Sequence, residues 1–386
     1  ALQVDNKIFD DTEAKVFAYS YSPNPRSGHL SAYINNKLYF IGGSTTLDRS
    51  VITNDFFYID CSVSFNSTID SIPYKNLSDL TDIPSIDVAG SSVIGPYNDI
   101  ILTFGGIGKN NSYGYQLIYT FDTKTYIWTP LTTNGIIPPI RKGVRPIYNS
   151  GRLYAFGGFD NINGIVYNSI DLLDTIGFTW SNFTLAGGLS GRDGYVSALL
   201  PDGNILYLGG YFSGKTIDLD IVYLYNTNNN TWRNTTTQGE IPESRGYFTS
   251  VLGESTKGSN HPAAPTLAVL NLSSEPFKWI SQNVSGGFIP PPLLLHTANV
   301  VDNYMIIAYG FNYQTSLLSN NIYILDISND SEYKWVNEFN SNQKTSSLVS
   351  LPTAVVGTTL IIFSLSACYK WYKFNGFNKE VFETPG

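Results

Sequence analysis

Side chains suited to metal or nucleophile chemistry are scarce: the 386 residues hold three His, two Cys and one Met. No spacing for a nucleophile elbow, a phosphate-cradling Gly-rich loop, a zinc-binding helix or a paired-Cys site occurs. The recurrent chemical feature is arginine. Arg26-Ser-Gly28-His29, Arg141-Lys-Gly143 and Arg192-Asp-Gly194 repeat one short string, and Arg245, in Ser244-Arg245-Gly246-Tyr247, stands one position off it. Guanidinium groups hold carboxylates and other anions by paired hydrogen bonds. Each can equally bond a backbone carbonyl or a nearby carboxylate such as Asp193 or Glu243. With 23 basic against 31 acidic residues, a net charge of −8 and no basic stripe, the chain is a poor match for nucleic acid, whose phosphates need neutralising.

The elements that must hold these strings are themselves repeated. An apolar run ending in a glycine pair recurs at Gly43, Gly106, Gly158 and Gly210, and a weakened copy, MIIAYG, ends at Gly310. The intervals are 63, 52 and 52 residues, then 100, close to two periods. A second marker keeps the beat: Tyr74, then Trp128, Trp180, Trp232, Trp279 and Trp335, with a mean spacing of 52.2 residues. Within a period, alternating residues such as Leu30–Asn35 and Lys37–Ile41 flank a two-residue turn, a variable loop follows the glycines, and two further strands end on the Trp. Equivalent turns fall at Asn98-Asp99, Ser150-Gly151, Asp202-Gly203 and Asp302-Asn303. A four-stranded sheet of this size cannot bury both faces alone, so the sheets must stack around an axis as a β-propeller.

The glycine pair, the following Trp and the Arg-x-Gly string resemble the kelch repeat, over roughly Pro25 to Trp335 and in six copies. The fifth copy departs, because its Arg245 string runs into the Gly/Ser/Pro/Ala-rich stretch Gly253–Pro265 without a glycine pair. The resemblance implies an all-β, six-bladed kelch propeller. It also places the loops carrying Arg26, Arg141, Arg192 and Arg245 around one channel mouth, where they would bind an anionic ligand. The variable loops, Ser44–Thr53 and Asn312–Asn320 among them, are rich in Tyr, Asn, Ser and Gly and form the other candidate surface. One catalytic precedent carries kelch-like repeats, galactose oxidase, with a copper site of two His and two Tyr. His29 and His296 stand at the His position of the motif in the first and last copies. That enzyme has seven repeats and a Tyr–Cys crosslink that neither Cys61 nor Cys368 is placed to supply, so the expectation here is no metal, no cofactor and no catalysis.

Outside the repeats, residues 1–22 form an N-terminal segment in which Lys15–Ser20 is expected to add a ring-closing strand. The propeller is read as residues 23–336 and residues 337–347 as a polar linker. Leu348–Tyr369 then runs without a charge and is followed by Lys370, Trp371, Tyr372 and Lys373. Length and flanks predict a transmembrane helix at 348–369, with a cytoplasmic tail at 370–386 and the propeller extracellular or lumenal. Nine Asn-x-Ser/Thr acceptors for N-glycosylation occur, at Asn66, Asn76, Asn110, Asn182, Asn229, Asn234, Asn271, Asn283 and Asn329. The sequence therefore predicts a single-pass membrane glycoprotein whose propeller loops recognise a protein or glycan. A copper-dependent sugar oxidase and a structural adhesion protein are the alternatives.

Overall fold

Leu30–Ile34 and Lys37–Ile41 pair antiparallel across Asn35 and Asn36, whose φ of 52° and 58° supply the twist of a two-residue hairpin. Phe56–Asp60 and Tyr74–Asn76 extend this pair into a four-stranded sheet. The computed structural model describes residues 21–48, 50–79, 91–94, 99–106, 117–160, 162–184, 189–246, 254–256, 260–262, 267–329, 331–341 and 353–355. Four later repeats follow the first. Their innermost strands are Ser91–Ile94, Ile147–Asn149, Val196–Leu199 and Thr297–Val301, and each leads a four-stranded antiparallel meander.

The fifth repeat differs, as its missing glycine pair predicts. Val269–Asn271 and Phe277–Ile280 are its own strands in the sheet, while Glu254–Thr256 and Asn260–Pro262 pair only with each other. The edge of Val269–Asn271 is instead taken by Thr353–Val355, antiparallel. The helix expected over 348–369 finds no support here: of that segment residues 353–355 are described, and they are strand. Among the described residues no helix is long and apolar enough to cross a membrane. β-Branched residues after Pro352 favour extended backbone, and the edge of Val269–Asn271, distant in sequence, offers them hydrogen bonds.

Six apolar clusters lie between the sheets, each joining consecutive repeats, and one joins the sixth to the first through Leu38, Phe40, Phe57, Tyr304 and Ile306. The marker aromatics fill these seams: Tyr74, Trp128, Trp180, Trp279 and Trp335 are all buried, each removing roughly 150–250 Å² of ring from water. Trp232 is the half-buried member. Outer edges are sewn together as well. Asn134–Gly135, Thr237–Gly239 and Val284–Gly286 each run parallel to the last strand of the next repeat. The ring closes through Glu338–Phe339 against Phe65–Asn66, with Phe339 fully buried and stacked on Phe65 at 5.0 Å. The expected polar linker is therefore structured at its start, because Phe339 is apolar and finds a core. The ring-closing strand expected at Lys15–Ser20 lies outside the described residues.

Candidate functional site

The four arginines of the repeated string are buried, at 0% exposure for Arg26 and Arg245 and 1% for Arg141 and Arg192. They do not stand open at a channel mouth. Arg26 donates from Nη1 to the Gly42 carbonyl at 3.1 Å and from Nη2 to Asp55 at 2.5 Å. Arg192 donates to the Gly209 carbonyl at 3.2 Å, with its guanidinium over the Tyr223 ring. Arg141 pairs with buried Asp171. Arg245 donates to the Glu243 carbonyl at 3.0 Å, and burial lowers its pKa to about 10. Their carbonyls have a second role, accepting from the closing glycine of the preceding repeat: Gly106 to Arg141, Gly158 to Arg192, Gly210 to Arg245, and Gly310 to Arg26 around the closure. Arg245 thus holds the same position as the other three, although its string is displaced by one residue in the sequence. The guanidiniums thus brace their own blades, while the backbone carbonyls of the same residues join neighbouring ones.

The histidines serve the same seam. His29 Nε2 meets Thr297 Oγ1 at 2.7 Å across the closure, and His296 Nδ1 meets the Leu293 carbonyl at 3.1 Å. Burial holds both imidazoles well below the usual range, His296 at about 3. Among the described residues no group of three or more His, Cys, Asp or Glu is arranged to hold a metal ion. Cys61 is buried in the first repeat, where burial pushes its thiol up. Cys368 and Asn110 lie outside the described residues.

The other eight glycosylation acceptors fall in or beside the third-to-fourth-strand segment of a blade. Asn76, Asn229, Asn234, Asn283 and Asn329 are exposed, and Asn66 and Asn271 are half-buried. Asn182 is different: its amide donates to Asp171, the carboxylate paired with Arg141.

A cavity of about 310 Å³ lies at the closure of the ring, between the first and sixth repeats. Leu47, Leu294, Leu295, Phe311 and Leu318 line it, with Ser27 and Ser316. Two of the variable loops, Ser44–Thr53 and Asn312–Asn320, contribute to this lining through Leu47, Ser316 and Leu318. The signal in the sequence is Leu293-Leu-Leu-His296, which replaces the Arg-Ser-Gly-His of the first repeat. The Gly28 amide donates to the Leu295 carbonyl at 2.8 Å, as Gly194 donates to Gly143. Leu295 thus sits where Gly28, Gly143 and Gly194 sit, and shares their left-handed backbone, φ 54° against 68°, 68° and 61°.

Four-stranded meanders stacked in sequence order, with glycine pairs on their second strands and aromatic side chains in the seams, define a β-propeller of kelch repeats. The family model "KLHDC2/KLHL20/DRC7 Kelch-repeats domain" matches residues 28–257, and the chain belongs to that family. Bovine Kelch domain-containing protein 3 is 22% identical over 230 residues, 57% of this chain and 59% of that protein. Human Kelch domain-containing protein 1 is 25% identical over 260 residues, 60% of each chain. A stretch of 170 residues, 43% of this chain, is 28% identical to 4% of the flagellar outer-arm dynein alpha chain of Chlamydomonas reinhardtii. The chain thus spans well under two thirds of these relatives. The solved structure of YjhT superposes with a TM-score of 0.56 at 13% identity, covering 82% of this chain and 98% of that one.

Proposed function

We propose that this chain is a non-catalytic protein-binding module, a six-bladed kelch propeller that engages its partner through the loop face at the closure of the ring. The observation that carries the reading is the apolar cavity built by the loops of the first and sixth repeats. A kelch-family scaffold supplies the rigid platform, and loops on such platforms carry recognition. A photo-crosslinking side chain at Leu47, on the loop face, should trap a protein from the source cells. The same group at Asn36, in the hairpin turn at the opposite end of the first strand pair, should not. Equal trapping at both positions, or none at either, would reject the proposal.

Display on a membrane belongs to the same proposal and rests on the uncharged run 348–369 with its aromatic and lysine flank. It requires Thr353–Val355 to leave the fifth sheet, because one segment cannot be both strand and spanning helix. Alkaline carbonate should leave the full chain in the membrane pellet and release a chain ending at Ser341. Release of both would overturn it. A glycan as the ligand is the narrower reading and would show as binding on a glycan panel that Leu47 substitution abolishes.

A further inference from the structure

From the register of the fifth sheet we infer that the fifth blade is a strand-acceptor site. It binds an extended, uncharged peptide in the slot of a second strand, and the chain's own Thr353–Val355 is the ligand it carries. The inference is independent of the cavity at the closing seam. Register comes first. In the fourth, fifth and sixth repeats Tyr225, Leu270 and Leu325 of the third strand stand opposite the marker residues Trp232, Trp279 and Trp335. The partner of that residue on the second strand is Ile205 in the fourth repeat and Met305 in the sixth. In the fifth it is Ala354, from the C-terminal segment. Thr353 and Val355 follow in step on either side, antiparallel as second strands are in the other repeats. The segment therefore fills the second-strand slot in the native register.

The walls of the slot are the second observation. Val269 and Leu270, whose backbone edge faces it, are fully buried and belong to the apolar clusters on the two sides of the fifth blade. An empty slot would open both clusters to water along a row of unpaired amides and carbonyls. The position of Ala354 is held elsewhere by Leu38, Ile101, Leu153, Ile205 and Met305, all fully buried. The slot thus takes a strand with an aliphatic residue opposite Leu270.

Composition is the third. The stretch Gly253–Pro265 has no Val, Ile, Leu or Phe, and its Pro262 and Pro265 cannot donate to a ladder. Its described strands, Glu254–Thr256 and Asn260–Pro262, pair with each other instead. Thr353–Val355 continues into Val356 within an uncharged run, which suits a central strand. In strand addition the main-chain bonds supply affinity and alternate side chains supply selectivity. One segment cannot lie in a sheet and a bilayer at once, so withdrawal of 348–369 into a membrane would free the slot for a similar peptide from a partner.

The test uses the full chain carrying Cys368→Ser, which removes the thiol nearest the segment in sequence. Asn271→Cys with Thr353→Cys should form an intrachain disulfide under mild oxidation, read by mass spectrometry of the digest. Residues directly opposite on antiparallel strands hold their Cβ atoms about 4.5–5.5 Å apart. Asn271→Cys with Val355→Cys is out of step, at about 7–8 Å, and should join about tenfold more slowly or not at all. Ala354→Pro then empties the slot by removing an amide donor. A fluorescein-labelled peptide of residues 348–358 should bind that variant about tenfold or more tightly than it binds the parent. The same peptide carrying Ala354→Pro should bind neither. Three results would overturn the inference. The two cysteine pairs could join equally or not at all, which removes the register. The disulfides could link two chains, which makes the contact an exchange between copies. Or the parent and Ala354→Pro chains could take up the peptide alike, or neither take it, which denies an acceptor site.

Discussion

The seam between the third and fourth repeats and the seam that closes the ring solve one packing problem with different residues. At the former, Gly157 and Gly158 take φ of 61° and 95°, and a Cβ on Gly157 would stand 2.4 Å from the Arg192 carbonyl. At the closing seam the first glycine is replaced by Tyr309, which holds φ at 60° and is fully buried against His29, Phe40 and Phe57. The Gly310 amide still reaches the Arg26 carbonyl at 2.9 Å, as Gly158 reaches that of Arg192 at 2.8 Å. Both seams keep this backbone contact, and aromatic rings pack beside each, Phe156, Tyr195 and Tyr207 at the interior one. The closing seam differs in that Tyr309 takes a glycine position, and its sixth repeat also carries Leu295 where glycine is the rule. Closure joins segments distant in sequence, so it gains from extra buried area.

The comparison can be broken at its ion pairs. Asp171→Ala strands the buried Arg141 guanidinium and should cost about 3–5 kcal/mol, read by urea denaturation. Asp55→Ala removes the partner of an equally buried Arg26, but the carboxylate is 28% exposed and Arg26 keeps its bonds to the Asn24 and Gly42 carbonyls, so the cost should be smaller, about 1–3 kcal/mol. Equal costs would mean the two arginines contribute alike. Gly157→Ala comes next, at about 1–3 kcal/mol, because the new Cβ meets backbone and the conformation is left-handed.

The histidines sharpen the comparison by pH. Both imidazoles have folded pKa values below the ordinary value of about 6.5, so the unfolded chain binds more protons in acid. Their contribution is fully present above pH 6.5 and is lost as pH falls below it, toward about 3 for His296. Between pH 7.5 and 5.5 each should remove roughly 1 kcal/mol, and His296→Gln should flatten the slope of the urea midpoint. A slope unchanged by that substitution would assign the loss to other groups. Tyr309→Phe is the smallest change. It removes the hydroxyl bond to Tyr74 at 3.3 Å and keeps the ring, so about 0.5–1 kcal/mol should be lost.

Asn182 separates the two regions in another way. Its amide supports the Arg141–Asp171 pair, so a glycan there would disturb the third repeat. If the chain is glycosylated, peptide mapping should find Asn182 empty while the exposed acceptors Asn229 and Asn329 are filled.

The repeat was legible because two markers share one period and each acts locally. Glycine supplies a left-handed φ, and the aromatic fills a seam. Arg26, Arg141, Arg192 and Arg245 were legible as a set, yet their role was not. A surface clamp and a buried brace use the same residue type, and only burial and partners distinguish them. His29 and His296 were legible as residues of the repeated string, and the bond from His29 across to Thr297 came from the structure.

By itself the sequence determined the four-strand meander, its turns and the order of the blades, since these depend on alternation, glycine and spacing along the chain. Tertiary structure decided what depends on residues far apart in sequence. Thr353–Val355 lies on the edge of Val269–Asn271 in the fifth repeat, Phe339 stacks on Phe65 to close the ring, and Leu47 lines one cavity with Leu295 and Phe311 from across the seam. Local propensity cannot specify such meetings, because each gains its stability from burying surfaces that only the closed ring brings together.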